Sequence, residues 1–383
     1  KKLPWGTLTG IRPTKIPMKF LEEGKTEEEI RTYMQKTYFA SDEKIDLSID
    51  IAERELEILK KIDYENGYSL YIGIPFCPTT CLYCSFTSYP LVSWRQKVDS
   101  YLDALEKELD YVAVKFGKKH LNSIYIGGGT PTTLEPYQLD RLIRKIRCST
   151  VEAGRPDSIT REKLETLKKW DITRISINPQ TMKDETLKII GRRHTVAQTV
   201  ESFQLARELG FDDINMDLIM GLPEESLEDV RDTLEQVKAL KPDNLTVHSL
   251  ALKRAARLNM FKEDYKDYKM VNTTEHMNLT AEYAKEMGLE PYYLYRQKSM
   301  AGNLENVGYA SPGKAGIYNI LIMEEKQTIV ACGAGASTKR VWNEPNPDGT
   351  HRIERCENVK DVAQYIERID EMIERKQKLF AEE

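Results

Sequence analysis

The sequence predicts an α/β fold: a partial (β/α)6 barrel of TIM type, with a helical N-terminal segment and a smaller α/β C-terminal domain. Three observations predict it. Short apolar runs alternate with helical stretches six times in about 180 residues, which implies a parallel sheet with helices outside. Each run ends in chemically unusual residues, and past about residue 255 the alternation stops. Alternation alone fits a doubly wound sheet equally well. The strand ends decide for a barrel, because barrels gather their chemistry at the carboxyl ends of their strands.

Residues 1–66 form the helical segment. Ile45, Leu47, Ile51, Leu56, Leu59 and Ile62 recur at helical spacing, and Ser41 is placed to cap them. Trp5 and Gly10-Ile11-Arg12-Pro13 make a turn-rich start to which spacing assigns no role. Residues 67–255 carry the barrel. Its strands are expected at Leu70–Ile74, Ser123–Ile126, Ser149–Glu152, Arg174–Ile177, Asp213–Ile219 and Asn244–Leu250. Its helices are expected at Arg95–Lys115, Tyr137–Arg147, Thr160–Lys169, Asp184–Ile190, Val196–Leu209 and Leu227–Leu240. The helical pattern up to Arg147 runs directly into the strand pattern at Cys148, so residues are expected to be missing there, as before Lys1. Residues 256–383 are expected to cover the open side of the barrel, with a helix at Thr273–Met287 and strands at Glu290–Tyr295, Gly316–Ile322 and Thr328–Ala331. A last amphipathic helix spans Val359–Lys376.

Composition narrows the function. A net charge of −5 argues against nucleic acid as the principal partner. No apolar run approaches the ~18 residues of a membrane span, so a cytoplasmic protein with reduced thiols is expected. Six cysteines in 383 residues do not describe a disulfide framework.

Half of those cysteines are concentrated in Cys77-Pro78-Thr79-Thr80-Cys81-Leu82-Tyr83-Cys84. Four thiolates close a four-iron cluster; three leave one iron open to bind and break a small molecule. Cys81-x2-Cys84 alone also fits half a zinc site or a redox dithiol, but Cys148, Cys332 and Cys356 are scattered and offer no second half. Gly127-Gly128-Gly129-Thr130, after the second strand, lets backbone approach a ligand closely, or is simply a tight turn. Glu152 and Asp217, at buried strand ends, need donors, either ligand groups or a structural ion pair. Gln180 and Arg192 fit a ligand role or an ordinary capping role equally. Lys253, Arg254 and Arg257 follow the sixth strand and suit anionic substrate groups, or else form a solvated helix start. Tyr292, Tyr293, Tyr295, Arg296 and Lys298 form an opposing wall or ordinary strand packing. His248 and His194 fit haem ligands, proton donors or structural residues, whereas His120, His276 and His351 look like surface positions.

The cysteine run resembles the signature of the radical S-adenosylmethionine (SAM) enzymes, and the ordered set resembles their oxygen-independent coproporphyrinogen III oxidase branch. The likeness to the HemZ-type subgroup is carried by Leu3–Lys15, Thr150–Asp157 and Gly302–Tyr309. It implies a radical SAM barrel whose [4Fe–4S] cluster is held by Cys77, Cys81 and Cys84. It implies SAM among Tyr71, Tyr83, Gly128, Gly129, Thr130, Glu152, Gln180, Arg192, Asp217 and Ala251. Glu152 would hold the ribose hydroxyls, Arg192 the methionine carboxylate and Gly129–Thr130 the amino group. The implied reaction is anaerobic oxidative decarboxylation of coproporphyrinogen III propionates to vinyls, fed by a flavodoxin or ferredoxin, in a monomer. A tetrapyrrole would then meet Lys253, Arg254, Arg257, Tyr295 and Arg296. One departure matters: Phe86 stands where the oxidases carry a fourth cysteine, as in the related haem-chaperone branch. A haem-trafficking protein that keeps the cluster, or an enzyme that methylates or opens haem, are the alternatives. The absence of the chaperones' His-Asn-Arg-x-Tyr-Trp string counts against the former.

Overall fold

A computed structural model describes the chain except for residues 1–2, 11, 147–149, 252–255, 257–259, 261–266, 298–299, 301, 303, 347–350 and 382–383. The Arg147–Cys148 junction therefore lies outside the described residues.

Six strands build the barrel wall: β1 (Gly67–Ile74), β2 (His120–Gly128), β3 (Thr150–Gly154), β4 (Arg174–Ile177), β5 (Asp213–Met220) and β6 (Asn244–Ser249). Each pairs in parallel with the next. The expected helices between them are present, Leu227–Leu240 with the bounds that periodicity predicted. Several start on side-chain caps: Thr160, Thr195 and Ser226 each accept the backbone N–H three residues on.

The C-terminal strands do not make a sheet of their own. They are β7 (Glu290–Tyr295), β8 (Asn306–Ala310), β9 (Thr328–Cys332), β10 (Ser337–Pro345) and β11 (His351–Glu357). They extend the barrel sheet at both ends, giving eleven strands in the order β11-β10-β9-β1-β2-β3-β4-β5-β6-β8-β7. β9 lies parallel to β1, and β8 antiparallel to β6. The expected strand at Gly316–Ile322 is instead a helix, Ile317–Glu324. A run of seven residues is too short for its period to separate the two, and here the chain turns helical against Tyr292, Tyr293 and Ala310.

The N-terminal helices Lys15–Glu22, Glu27–Tyr38 and Asp42–Leu59 pack on this C-terminal part. Trp5, fully buried, donates its indole N–H to Glu305 at 2.8 Å, and Lys44 reaches the same carboxylate at 2.7 Å. That anchoring is the role spacing could not assign to Trp5. At the other end of the sheet, Lys376 of the last helix (Ile369–Leu379) meets Glu108 of the helix Val98–Phe116 at 2.5 Å, both side chains fully enclosed.

Candidate active site

The cysteine loop leaves β1 at the carboxyl end of the barrel. Phe76–Cys77 pairs in parallel with Tyr89–Pro90, which pins the two ends of the loop together. Thr79 Oγ1 and the Leu82 N–H donate to the carbonyls of Gly191 and Ile190, both at 3.0 Å. Cys77 and Cys81 are buried, Cys84 half-buried, and all three are free thiols. Gly128 sits at φ +109°, and a Cβ on Gly129 would stand 2.9 Å from Cys77 Sγ, so this cradle requires glycine. Burial pushes the Cys77 thiol up to about 12, its Thr130 hydrogen bond notwithstanding. Thiolates there need bound cations, which is the chemistry of an iron cluster's donor set. Among the described residues, no three His, Cys, Asp or Glu side chains close on a single-ion site; a four-iron cube holds its thiolates wider apart.

Beyond the loop, the burial pattern marks an inner space. Tyr71 is the one residue of β1 that is not fully buried, and His248 the one residue of β6. On β5 only Asp213 and Asp217 are partly open. These positions face the barrel lumen together with Glu152. Glu152 accepts from Tyr125 Oη at 3.3 Å and Asn178 Nδ2 at 3.2 Å. Burial, reinforced by the neighbouring Asp217 charge, pushes its carboxyl up to about 8. Asp217 resists the same burial and stays below its ordinary value, because His248 at 3.7 Å and Asn215 at 2.7 Å favour the carboxylate. Arg192 is buried and donates to Tyr83 Oη at 3.2 Å and the Asn178 carbonyl at 2.5 Å. Asn178 Oδ1 is buried with no partner, an orphan acceptor in the same pocket. Gln180 adopts φ +73° and extends the β4–β5 pairing, its N–H on the Asp217 carbonyl at 2.9 Å and its carbonyl accepting from Ile219 N at 3.0 Å. Ala251, just past β6, bridges to Met300.

Sequence reasoning offered Tyr293 and Tyr295 as a wall but missed Tyr125 and Tyr318, which extend the aromatic lining. Tyr71, Tyr125 and Tyr318 stack nearly parallel, with Tyr125 and Tyr318 centroids 4.7 Å apart at 15°. Tyr293 and Tyr295 stack at 8°. A signal existed: Tyr-Ile-Gly occurs at 71–73 and at 125–127, and the two copies pair residue for residue across β1 and β2. Each ring lies over its own glycine, since a Cβ on Gly127 would come within 2.6 Å of the Tyr125 ring and one on Gly73 within 3.4 Å of Tyr71. Gly308 on β8 does the same for Tyr293 across the strand pair, where a Cβ would fall 1.8 Å from the ring. Other missed residues are Asn178 as a Glu152 partner, and Arg155, whose Nη1 lies 3.7 Å from Cys81 Sγ.

The expected substrate residues separate. Tyr295 faces the lumen and meets His248 Nδ1 at 3.3 Å. Arg296 turns the other way, donating to the Leu8 carbonyl at 2.7 Å and lying over the Trp5 ring, so it anchors the N-terminal segment instead of meeting a propionate. Lys253, Arg254 and Arg257 lie outside the described residues. His276 is buried, not at the surface, because its Nδ1 pairs with the Thr273 cap at 2.8 Å.

A three-thiol loop and a glycine cradle at the carboxyl rim of a partial barrel define a radical SAM protein, and the Radical SAM superfamily model matches residues 71–237. The chain belongs to that superfamily, in its oxygen-independent coproporphyrinogen III oxidase-like family: it is 44% identical over 386 residues to the oxidase-like protein HemZ of Bacillus subtilis, spanning 97% of this chain and 76% of that one. The heme chaperone HemW of the same organism is 40% identical over 192 residues, 48% of this chain and 50% of that one. The solved structure of the Escherichia coli coproporphyrinogen III oxidase HemN shares the fold, with a TM-score of 0.63 at 23% identity over 83% of this chain and 73% of that one. The family's cofactors are a [4Fe–4S] cluster and SAM, and the thiols, cradle and orphan acceptor here fit them.

Proposed function

We propose that this chain carries out oxidative decarboxylation on a tetrapyrrole, converting coproporphyrinogen III propionates to vinyls without oxygen. The lumen carries the reading: stacked tyrosine faces line the same enclosed space as Glu152 and Asp217, and aromatic faces suit the pyrrole rings of a tetrapyrrole. Cys77, Cys81 and Cys84 would hold the cluster, beside the glycine cradle. Glu152 and Asn178 receive the ribose hydroxyls, and Arg192 the methionine carboxylate. When bound, cluster and SAM supply a 5′-deoxyadenosyl radical. The chain's own residues orient the substrate and exclude water. Tyr295 and His248 form its polar edge; the cations the sequence offers for the propionates, Lys253, Arg254 and Arg257, lie outside the described residues. Each vinyl requires loss of one hydrogen atom, which the 5′-deoxyadenosyl radical takes up, and of CO2 and one electron, which passes to a one-electron acceptor outside the chain. A flavodoxin or ferredoxin supplies the cluster's reducing electron.

Phe86, 71% exposed, occupies the fourth-cysteine position, and this favours a second reading as a haem-binding protein. One experiment separates the two: anaerobically reconstituted, reduced protein is given SAM with coproporphyrinogen III or with haem. Vinyl product with CO2 supports the dehydrogenase. Stable haem binding without turnover overturns it in favour of trafficking, and a methylated or opened macrocycle overturns both.

A further inference from the structure

Behind the cysteine loop lies an arginine that the cofactor assignments leave unused. Arg155 is 4% exposed. It follows Gly154, whose φ of +74° turns the chain back toward the loop, and precedes Pro156, which opens a short 3-10 turn. Asp157 takes two of its three guanidinium nitrogens, Nε at 2.9 Å and Nη2 at 2.6 Å, in a planar fork. The third, Nη1, is therefore aimed. It donates to Thr79 Oγ1 at 2.8 Å and the Thr79 carbonyl at 3.0 Å, and lies 3.7 Å from Cys81 Sγ. Burial opposes ionisation of Asp157, and the Arg155 fork outweighs it and holds the carboxyl below its ordinary value. His194, Arg192 and Cys77 are ionisable groups that also act on this pair. A fixed cation beside a ligand sulfur stabilises added negative charge, and hydrogen bonds to cluster sulfurs set cluster potentials.

We propose that Arg155, steered by Asp157, is a positioning residue that fixes Cys81 and the 77–84 loop and makes the cluster easier to reduce. The proposal rests on the cluster assignment above. A loop staple alone would hold iron without moving the potential, so the potential is the measurement that decides.

The full-length chain, reconstituted with iron and sulfide, is titrated with dithionite and followed by electron paramagnetic resonance, with iron per chain measured in parallel. Arg155→Gln keeps its iron, and its reduced-to-oxidised ratio at a fixed potential falls about tenfold, about 59 mV for one electron. Arg155→Lys, which keeps the charge without the fork, falls between the two. Full iron with the wild-type potential in Arg155→Gln overturns the proposal. Should that variant lose its iron, Asp157→Asn decides: it removes the counter-charge and leaves the cation uncompensated, so an easier reduction supports the proposal, whereas no shift or a harder reduction overturns it. Wild-type protein that takes up no iron is a different failure, that of the cluster assignment itself.

Discussion

Glu108, on the helix Val98–Phe116, and Glu152, at the end of β3, are both carboxylates removed from bulk water, and the fold treats them oppositely. Glu108 receives Lys376 at 2.5 Å, Asn358 at 2.8 Å, Tyr365 at 2.5 Å and the Gly333 N–H at 2.9 Å. Every lone pair is matched and a cation neutralises the charge. Glu152 has two long bonds from neutral donors, and its nearest strong influence is another carboxylate. A saturated buried charge holds a structure together, while an under-satisfied one is kept for something that arrives later. The same contrast separates Lys44–Glu305 under Trp5 from the orphan Asn178 oxygen in the lumen.

The largest effect expected on the lumen side is from Cys81→Ala, which abolishes both the iron chromophore and SAM cleavage, while Cys356→Ala keeps both. Iron analysis and 5′-deoxyadenosine release check this, and iron retained by Cys81→Ala would end the cluster assignment. On the saturated side, Lys376→Met leaves Glu108 buried without its cation and costs about 3–5 kcal/mol of stability by urea unfolding. The folded fraction still binds iron normally; reduced loading would mean the two regions are coupled and the contrast is wrong. Gly308→Ala comes next. The new Cβ drives the Tyr293 ring from its seat and costs about 1–3 kcal/mol, whereas in a Tyr293→Ala background the same substitution costs little. An equal cost in both backgrounds would place the strain elsewhere.

The smallest effect per step is a slope with pH, about 1.4 kcal/mol per pH unit at most. The Glu152 carboxyl titrates near 8 in the folded chain against an ordinary 4.5, so the SAM-free fold binds the extra proton between those values. Its contribution is complete below the ordinary value and is lost as pH rises through about 8. Melting temperature of SAM-free protein therefore declines from pH ~6 to ~9, and Glu152→Gln flattens that decline. Parallel curves for the two proteins would show that Glu152 is already satisfied in the free protein.

How much of this was legible depended on range. The strand Arg174–Ile177 and the helix Leu227–Leu240 were readable to the residue because caps and periodicity lie within a few positions of one another. Gly316–Ile322 misled because it is too short to decide: Ile317, Ile320 and Leu321 stand at helical spacing, but seven residues also suit a strand. Arg296 misled because its partners, Trp5 and Leu8, lie nearly three hundred positions away. Tyr-Ile-Gly was visible twice, but only the register of β1 on β2 turns two tripeptides into one wall.

Local spacing determined the three-thiol run, the glycine cradle after β2 and the alternation that makes a barrel, since each is settled by neighbours along the chain. Tertiary structure decided the rest: that β9 joins β1, that Lys376 neutralises Glu108, and that Arg155 turns its last nitrogen on Cys81. These contacts join residues between 74 and 268 positions apart. At such separations no period in the sequence records the pairing; only the folded register of the sheet brings the partners within reach.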